Sequence, residues 1–233
     1  MSGADRRPHA ENLLLTGGHS HPFHETTPAL AAILRESGVS STATDDLEGG
    51  IAELATGRFA MVTVNALRFG MRAERYAEQR ARWAYSLPAR SRAALRDFVA
   101  GGGALLAIHT AAVSFDDWPE WRAMVGGAWD WSRSAHPPLG AMRVSVPPSD
   151  HPIVAGLENF EVIDEAYGFL DLMPDVVPLA VSSHGGADHP MLWARRFGRG
   201  RVVYDALGHD ARSYAHPTHA EILRRAARWL TSP

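Results

Sequence analysis

The sequence predicts an α/β protein whose mostly parallel sheet is covered by helices on both faces. Three observations predict it. Apolar runs of strand length alternate with stretches of helical periodicity along most of the 233-residue chain. Two of those runs, Phe59–Val64 and Ala104–Ile108, are apolar enough to be strands buried on both faces. Glycines follow at Gly38 and at Gly101-Gly102-Gly103, where helices should end.

Taken in order, Leu13–Thr16 reads as the first strand. A helix from Thr26 to Glu36 follows, with Ala29, Leu30, Ile33 and Leu34 at helical spacing. Val39–Thr44 is a second strand, weaker in composition, and Phe59–Val64 a third. Arg72 to Arg82 is an arginine-rich solvated loop or helix. A helix from Pro88 to Val99 turns Leu95 and Phe98 inward, and Ala104–Ile108 is the most deeply buried strand. The stretch containing Trp118, Trp121, Trp129 and Trp131 is irregular. Met142–Val146, Val176–Ser182, Met191–Arg196 and Arg201–Asp205 read as strands, the last two joined by Gly198-Arg199-Gly200 into an antiparallel hairpin. The final helix starts at Thr218 with Glu221 as capping-box partner and carries Ile222, Leu223, Ala226 and Leu230. With neither repeat nor low-complexity linker, residues 1–233 read as one domain.

Composition narrows the function classes. Hydrophobic residues make up 45% and charged residues 21%, with a net charge of −3 that gives no reason to expect nucleic acid as partner. No apolar run approaches the roughly 20 residues that span a bilayer. MSGADRRPHAEN has two arginines without an apolar segment behind them, so no secretory leader and a cytoplasmic location are expected. Cysteine is absent, which removes disulfides, thiolate metal sites and cysteine nucleophiles. Lysine is absent too, which removes Schiff-base chemistry.

Four segments carry the candidate chemistry. After the first strand, Gly17-Gly18 leads into His19, His21 and His24, close enough for the rings to converge on one point or one metal ion, with Glu25 nearby to fix a tautomer. The strand 104–108 runs straight into His109, placing it on a sharp strand-to-helix turn flanked by small residues, where it would serve as base, acid or ligand. The plainer reading is a buried histidine capping the next helix. Arg201–Leu207 delivers Gly208-His209-Asp210 in the same way. Phe160–Tyr167, FEVIDEAY, ends a short strand in Asp164 and Glu165, of which one carboxylate would turn inward. His151, His184, His189, His216 and His219 read as surface or capping residues, with His184 in reserve.

GGHSHPFHETT, GGGALLAIHTA, HPIVAGLENFEVIDEAY and FGRGRVVYDALGHD, together with the AARWL helix, resemble in content and order the trehalose-utilisation (ThuA-like) family. The resemblance covers residues 11–231. It implies a three-layer, flavodoxin-like sheet of the class I glutamine-amidotransferase type. That wider group carries a cysteine at the elbow and His-x-Glu after the last strand. Here the elbow holds His109 and the later site reads His209-Asp210-Ala211, so glutamine hydrolysis is excluded. What the resemblance implies instead is an enzyme acting on a sugar or keto-sugar. Its catalytic residues would be His109, Glu165 and His209, with His19, His21, His24, Tyr167 and Trp193 against the substrate. Trp118 and Trp129 are further candidates for stacking on it. Two mechanisms stay open: acid–base chemistry by Glu165 and His109 on opposite sides of the substrate, or hydrolysis with the histidines holding a divalent metal such as zinc. A non-catalytic sugar- or effector-binding protein and a metal-dependent hydrolase of another small molecule are the alternatives. Expected partners are a small molecule and, as an open alternative, further copies of the chain, with no nucleic acid and no membrane.

Overall fold

Parallel pairing of buried apolar strands organises the chain. The computed structural model describes residues 10–232; the N-terminal segment discussed above lies almost wholly outside them. Strand β1 (Ala10–Gly18), helix α1 (Phe23–Glu36), strand β2 (Val39–Thr44), helix α2 (Leu47–Ala52) and strand β3 (Met61–Leu67) come first. Helices α3 (Ala77–Trp83) and α4 (Ala89–Ala100) precede strand β4 (Ala104–Ile108). Next come α5 (Pro119–Val125), β5 (Gly127–Ala128), β6 (Gly140–Val144), β7 (Phe160–Asp164) and β8 (Asp171–Leu172). The chain closes with β9 (Pro178–His184), β10 (Ala187–Phe197), β11 (Gly200–Asp205), α6 (Ala211–Ala215) and α7 (Pro217–Thr231).

Seven strands form one sheet in the order β2-β1-β3-β4-β11-β10-β9, parallel through β11 and antiparallel beyond it. Its register builds the core: Leu13, Val62, Leu105 and Val202 lie side by side across four strands, each essentially excluded from solvent. Fully burying such side chains stabilises the fold by about 1.5–3 kcal/mol each. Because β1, β3, β4 and β11 run the same way, their C-terminal ends share one edge. There the chain turns into His19–His21, His109 and Gly208–His209, and ligands of open parallel sheets bind at that edge.

The sequence reading and the structure differ in particular places. Helix α1 begins at Phe23, three residues before the expected Thr26, with Pro22 preceding it. Helix α7 begins at Pro217, since proline suits a first helical position, so Thr218 caps nothing and Glu221 binds Arg224, Arg225 and Arg228 instead. The tryptophan-rich stretch contains α5, opened by Pro119 and stopped at Gly126. The strand expected at 142–146 runs from 140 to 144 and pairs with β7 in a separate antiparallel ladder. The expected hairpin joins β10 to β11.

Candidate functional site

Gly18 lets β1 end hard against β3. Its φ is +129°, and a Cβ there would lie 2.1 Å from the Leu67 carbonyl oxygen, so only glycine fits. The chain then swings over the sheet edge and brings the His21 ring within 5.2 Å of His109 and 4.6 Å of His209, between ring centres.

His109 sits at φ +44° on the turn after β4. Such a conformation costs a side-chain-bearing residue of order 1–3 kcal/mol and persists only where its surroundings over-determine it. They do so here. Tyr204 Oη donates to the His109 carbonyl at 2.9 Å, while Thr110 Oγ1 and Ser114 Oγ both donate to the Ala66 carbonyl at 2.8 and 2.7 Å. His109 Nδ1 lies 2.6 Å from the Ala206 carbonyl. A carbonyl only accepts, so Nδ1 carries a proton, and Nε2 is the nitrogen that faces Glu165. Tyr167 stacks on the same ring at 4.3 Å.

Glu165 follows β7 and completes the centre. Its Oε2 lies 3.5 Å from His109 Nε2 and 3.1 Å from His209 Nδ1, and its Oε1 lies 3.7 Å from His136 Nδ1. Burial alone would raise its pKa, but the close imidazoles of His109 and His209 outweigh that and hold it well below the usual carboxylate range. Burial likewise opposes a charge on His209, and the neighbouring carboxylate reverses the balance and raises its pKa. For His21, burial and then the adjacent His109 and His209 lower the pKa to about 3, so it is neutral at physiological pH. Both His21 nitrogens are buried without a hydrogen-bond partner among the described residues, and His109 Nε2 and His209 Nδ1 meet no polar group there other than the Glu165 carboxylate. One ligating atom from each of His21, His109, Glu165 and His209 lies within 4.8 Å of all the others. These are the residues that could hold a metal.

The centre forms the floor of a cavity of about 510 Å³. Tyr76, Trp129, Trp131 and Tyr167 form its aromatic walls, and His19 and His136 stand beside them. Trp129 meets Tyr167 edge to face, and the half-exposed Trp131 stacks on Phe69. Arg75 lies over the Tyr76 and Trp131 rings.

Of the predicted residues, the cavity gathers His19, His21, Glu165, Tyr167 and His209, with His109 beneath them. Two fall elsewhere. His24 lies on the solvent face of α1, beside the exposed Glu25. Trp193 is 0% exposed; its Nε1 donates to the Val125 carbonyl and its ring stacks on Tyr204, so it belongs to the core. Trp118 is likewise buried, stacked on Trp121. His219 and His189, read as surface or capping residues, are buried, and His184 faces His189 rather than the centre. Sequence reasoning missed His136, Tyr76 and Trp131 as cavity residues; they sit where hydrophobic periodicity gives no orientation.

The class is therefore an α/β protein with a histidine–carboxylate centre at the C-terminal edge of a parallel sheet, its elbow residue a histidine. The chain belongs to the ThuA family: the model described as trehalose utilisation matches residues 13–230. Among solved structures, it is similar to a ThuA-like protein from Parabacteroides merdae ATCC 43184, with a TM-score of 0.76 and 18% identity over 95% of this chain and 89% of that one. A ThuA-like protein from Bacteroides uniformis ATCC 8492 gives 0.74 and 17% identity over 99% and 95%. A cytoplasmic protein from Salmonella typhimurium LT2 gives 0.63 and 12% identity over 95% and 100%. At these identities the likeness is one of fold. No curated protein matches the chain in sequence.

Proposed function

We propose that this protein is an enzyme of carbohydrate catabolism, acting on a trehalose-related or keto-sugar substrate at the His109–Glu165–His209 centre. The observation that carries the reading is a set of buried ring nitrogens converging on one carboxylate at the floor of an aromatic-walled cavity. Flat aromatic faces such as Trp129 and Trp131 suit the apolar face of a sugar ring. The family supplies the sugar.

The geometry also bears on how the centre acts. His109 Nε2 and Glu165 Oε2 are 3.5 Å apart, which leaves no room for a substrate between them. A base and an acid on opposite faces of the sugar are therefore a poor description of this pair. The centre instead gathers three imidazoles and a carboxylate at one point on one side of the ligand. That arrangement grips an oxygen of the substrate, or an ion that binds such an oxygen. No helix among the described residues is long and apolar enough to cross a membrane, and action in the cytoplasm is part of this reading.

A product assay with a keto-glycoside tests it. Wild-type protein should turn the substrate over, while His109→Ala and Glu165→Gln should bind it, by calorimetry, without forming product. Equal turnover by wild type and both variants would reject the assignment of the centre. Binding without product in the wild type would reduce the protein to a sugar-binding one.

A further inference from the structure

We infer that His21, His109, Glu165 and His209 form a divalent-metal site, for a first-row transition ion of the zinc type. The inference rests on the reading above that this cavity is the reaction site, and adds what fills its floor. Three imidazoles and one carboxylate are the donor set that such ions take, and they suit neither calcium nor magnesium.

Spacing is the first argument. At metal–ligand distances of about 2.0–2.1 Å, neighbouring ligand atoms stand about 3–3.4 Å apart and opposite ones about 4 Å. The 3.1 Å and 3.5 Å separations from Glu165 Oε2 are edges of about that size, and the four atoms, all within 4.8 Å of one another, need only a small inward shift to share one ion. Satisfaction is the second. Each buried polar atom left unpaired costs about 1–3 kcal/mol, yet both His21 nitrogens are orphaned here, and His109 Nε2 and His209 Nδ1 meet only the Glu165 carboxylate. A single cation would engage one nitrogen from each of the three rings.

Orientation is the third argument, and it comes from residues that do not ligate. The His109 Nδ1 proton is committed to the Ala206 carbonyl, the arrangement by which a ligating histidine is usually held in one tautomer. The buried Asp164 carboxylate accepts from three backbone amides. Oδ1 takes Glu165 N at 2.8 Å and His209 N at 3.2 Å, and Oδ2 takes Gly208 N at 2.7 Å. Asp164 thus fixes the backbone of two ligands at once. The loop it holds, 206–209, also supplies the carbonyl that orients His109. Gly208 permits this path at φ +121°, where a Cβ would come within 2.6 Å of Tyr214 Oη. Asp164 is a positioning residue. Its carboxylate is spent on backbone amides.

Cobalt(II) titration of chelator-stripped protein tests the site, because its visible spectrum reports the ligand set without any turnover. One cobalt per chain should bind and be displaced by zinc. His21→Ala and His109→Ala should each weaken binding more than Asp164→Asn, whose loss should be about 10–100-fold. Should a variant fail to fold, imidazole nitrogen NMR of the wild type gives the answer, with the His21, His109 and His209 ring signals moving together on zinc addition. No stoichiometric cobalt binding, or unmoved ring signals, would overturn the inference. The two readings fail separately: metal-stripped protein that still turns over a sugar removes the metal but keeps the enzyme, and metal binding without turnover does the reverse.

Discussion

Two histidine–carboxylate clusters lie close together behind the same sheet edge, and they differ in every respect that matters for function. In the first, His21, His109 and His209 gather round Glu165 with no other polar group of the described residues at the nitrogens they turn toward it, and His21, Glu165 and His209 line a cavity. In the second, His219 Nε2 lies 3.1 Å from Asp205 Oδ2, and Nδ1 lies 2.9 Å from Ser213 Oγ and 3.0 Å from the Ser213 carbonyl. Carboxylate and carbonyl both accept, so this environment favours a protonated, positively charged His219 ring. Serine, histidine and aspartate in a row invite comparison with a hydrolase triad, but the order is reversed: serine meets Nδ1 and aspartate Nε2. Ser213, His219 and Asp205 are also at most 1% exposed; His109 is as deeply buried, but its partners His21, Glu165 and His209 line the cavity, and none of the second cluster does. The second cluster is a sealed ion pair tying α6 and α7 to the end of β11. Residue types alone do not separate the two. The partners of the ring nitrogens and access to a cavity do.

That contrast can be broken at several points. The largest effect should come from the open cluster: His109→Ala or Glu165→Gln should lower keto-glycoside turnover about 10²–10⁴-fold, in a stopped product assay, with little change in the thermal midpoint. Asp164→Asn should come next, with the loss of metal affinity given above and a smaller loss of stability. His219→Ala should behave in the opposite way. It leaves Asp205 buried and uncompensated, which costs about 3–5 kcal/mol in urea unfolding, while protein that folds keeps its metal affinity.

The sealed pair also predicts a pH dependence. Burial would lower the His219 pKa, but Asp205 outweighs it and raises the value above 6.5 in the folded state. The stabilisation is then complete below pH about 6.5 and lost as pH climbs through the raised folded value. Urea midpoints should fall on that limb in wild type and lose the corresponding component in His219→Gln. The smallest effect belongs to His24→Ala, which should leave turnover unchanged and stability within about 0.5 kcal/mol.

How much of this was legible in the sequence follows from the range of the interactions involved. Strands such as Ala104–Ile108 declare themselves because burial on both faces leaves an unbroken apolar run. His19, His109 and His209 were findable because each follows a strand whose end the glycines and apolar residues mark. His24 misled because α1 starts earlier than expected, so the spacing that would let three loop histidines converge turns the third onto a helix surface. Trp193 misled because a tryptophan at a strand position is equally suited to a cavity wall and to the core. His136 was invisible for another reason. Its segment is placed by a bridge between Ala135 and Gly168, and no local pattern encodes a contact of that span. The partner of β6 was hidden in the same way, since alternation marks a strand without naming its neighbour.

The central claim is that the open cluster binds a divalent ion and uses it on a sugar. The most direct test is keto-glycoside turnover by one preparation before metal removal, after chelation, and after one equivalent of zinc is returned. The account predicts full activity, loss, and recovery in that order. Undiminished turnover by fully metal-free protein would contradict it.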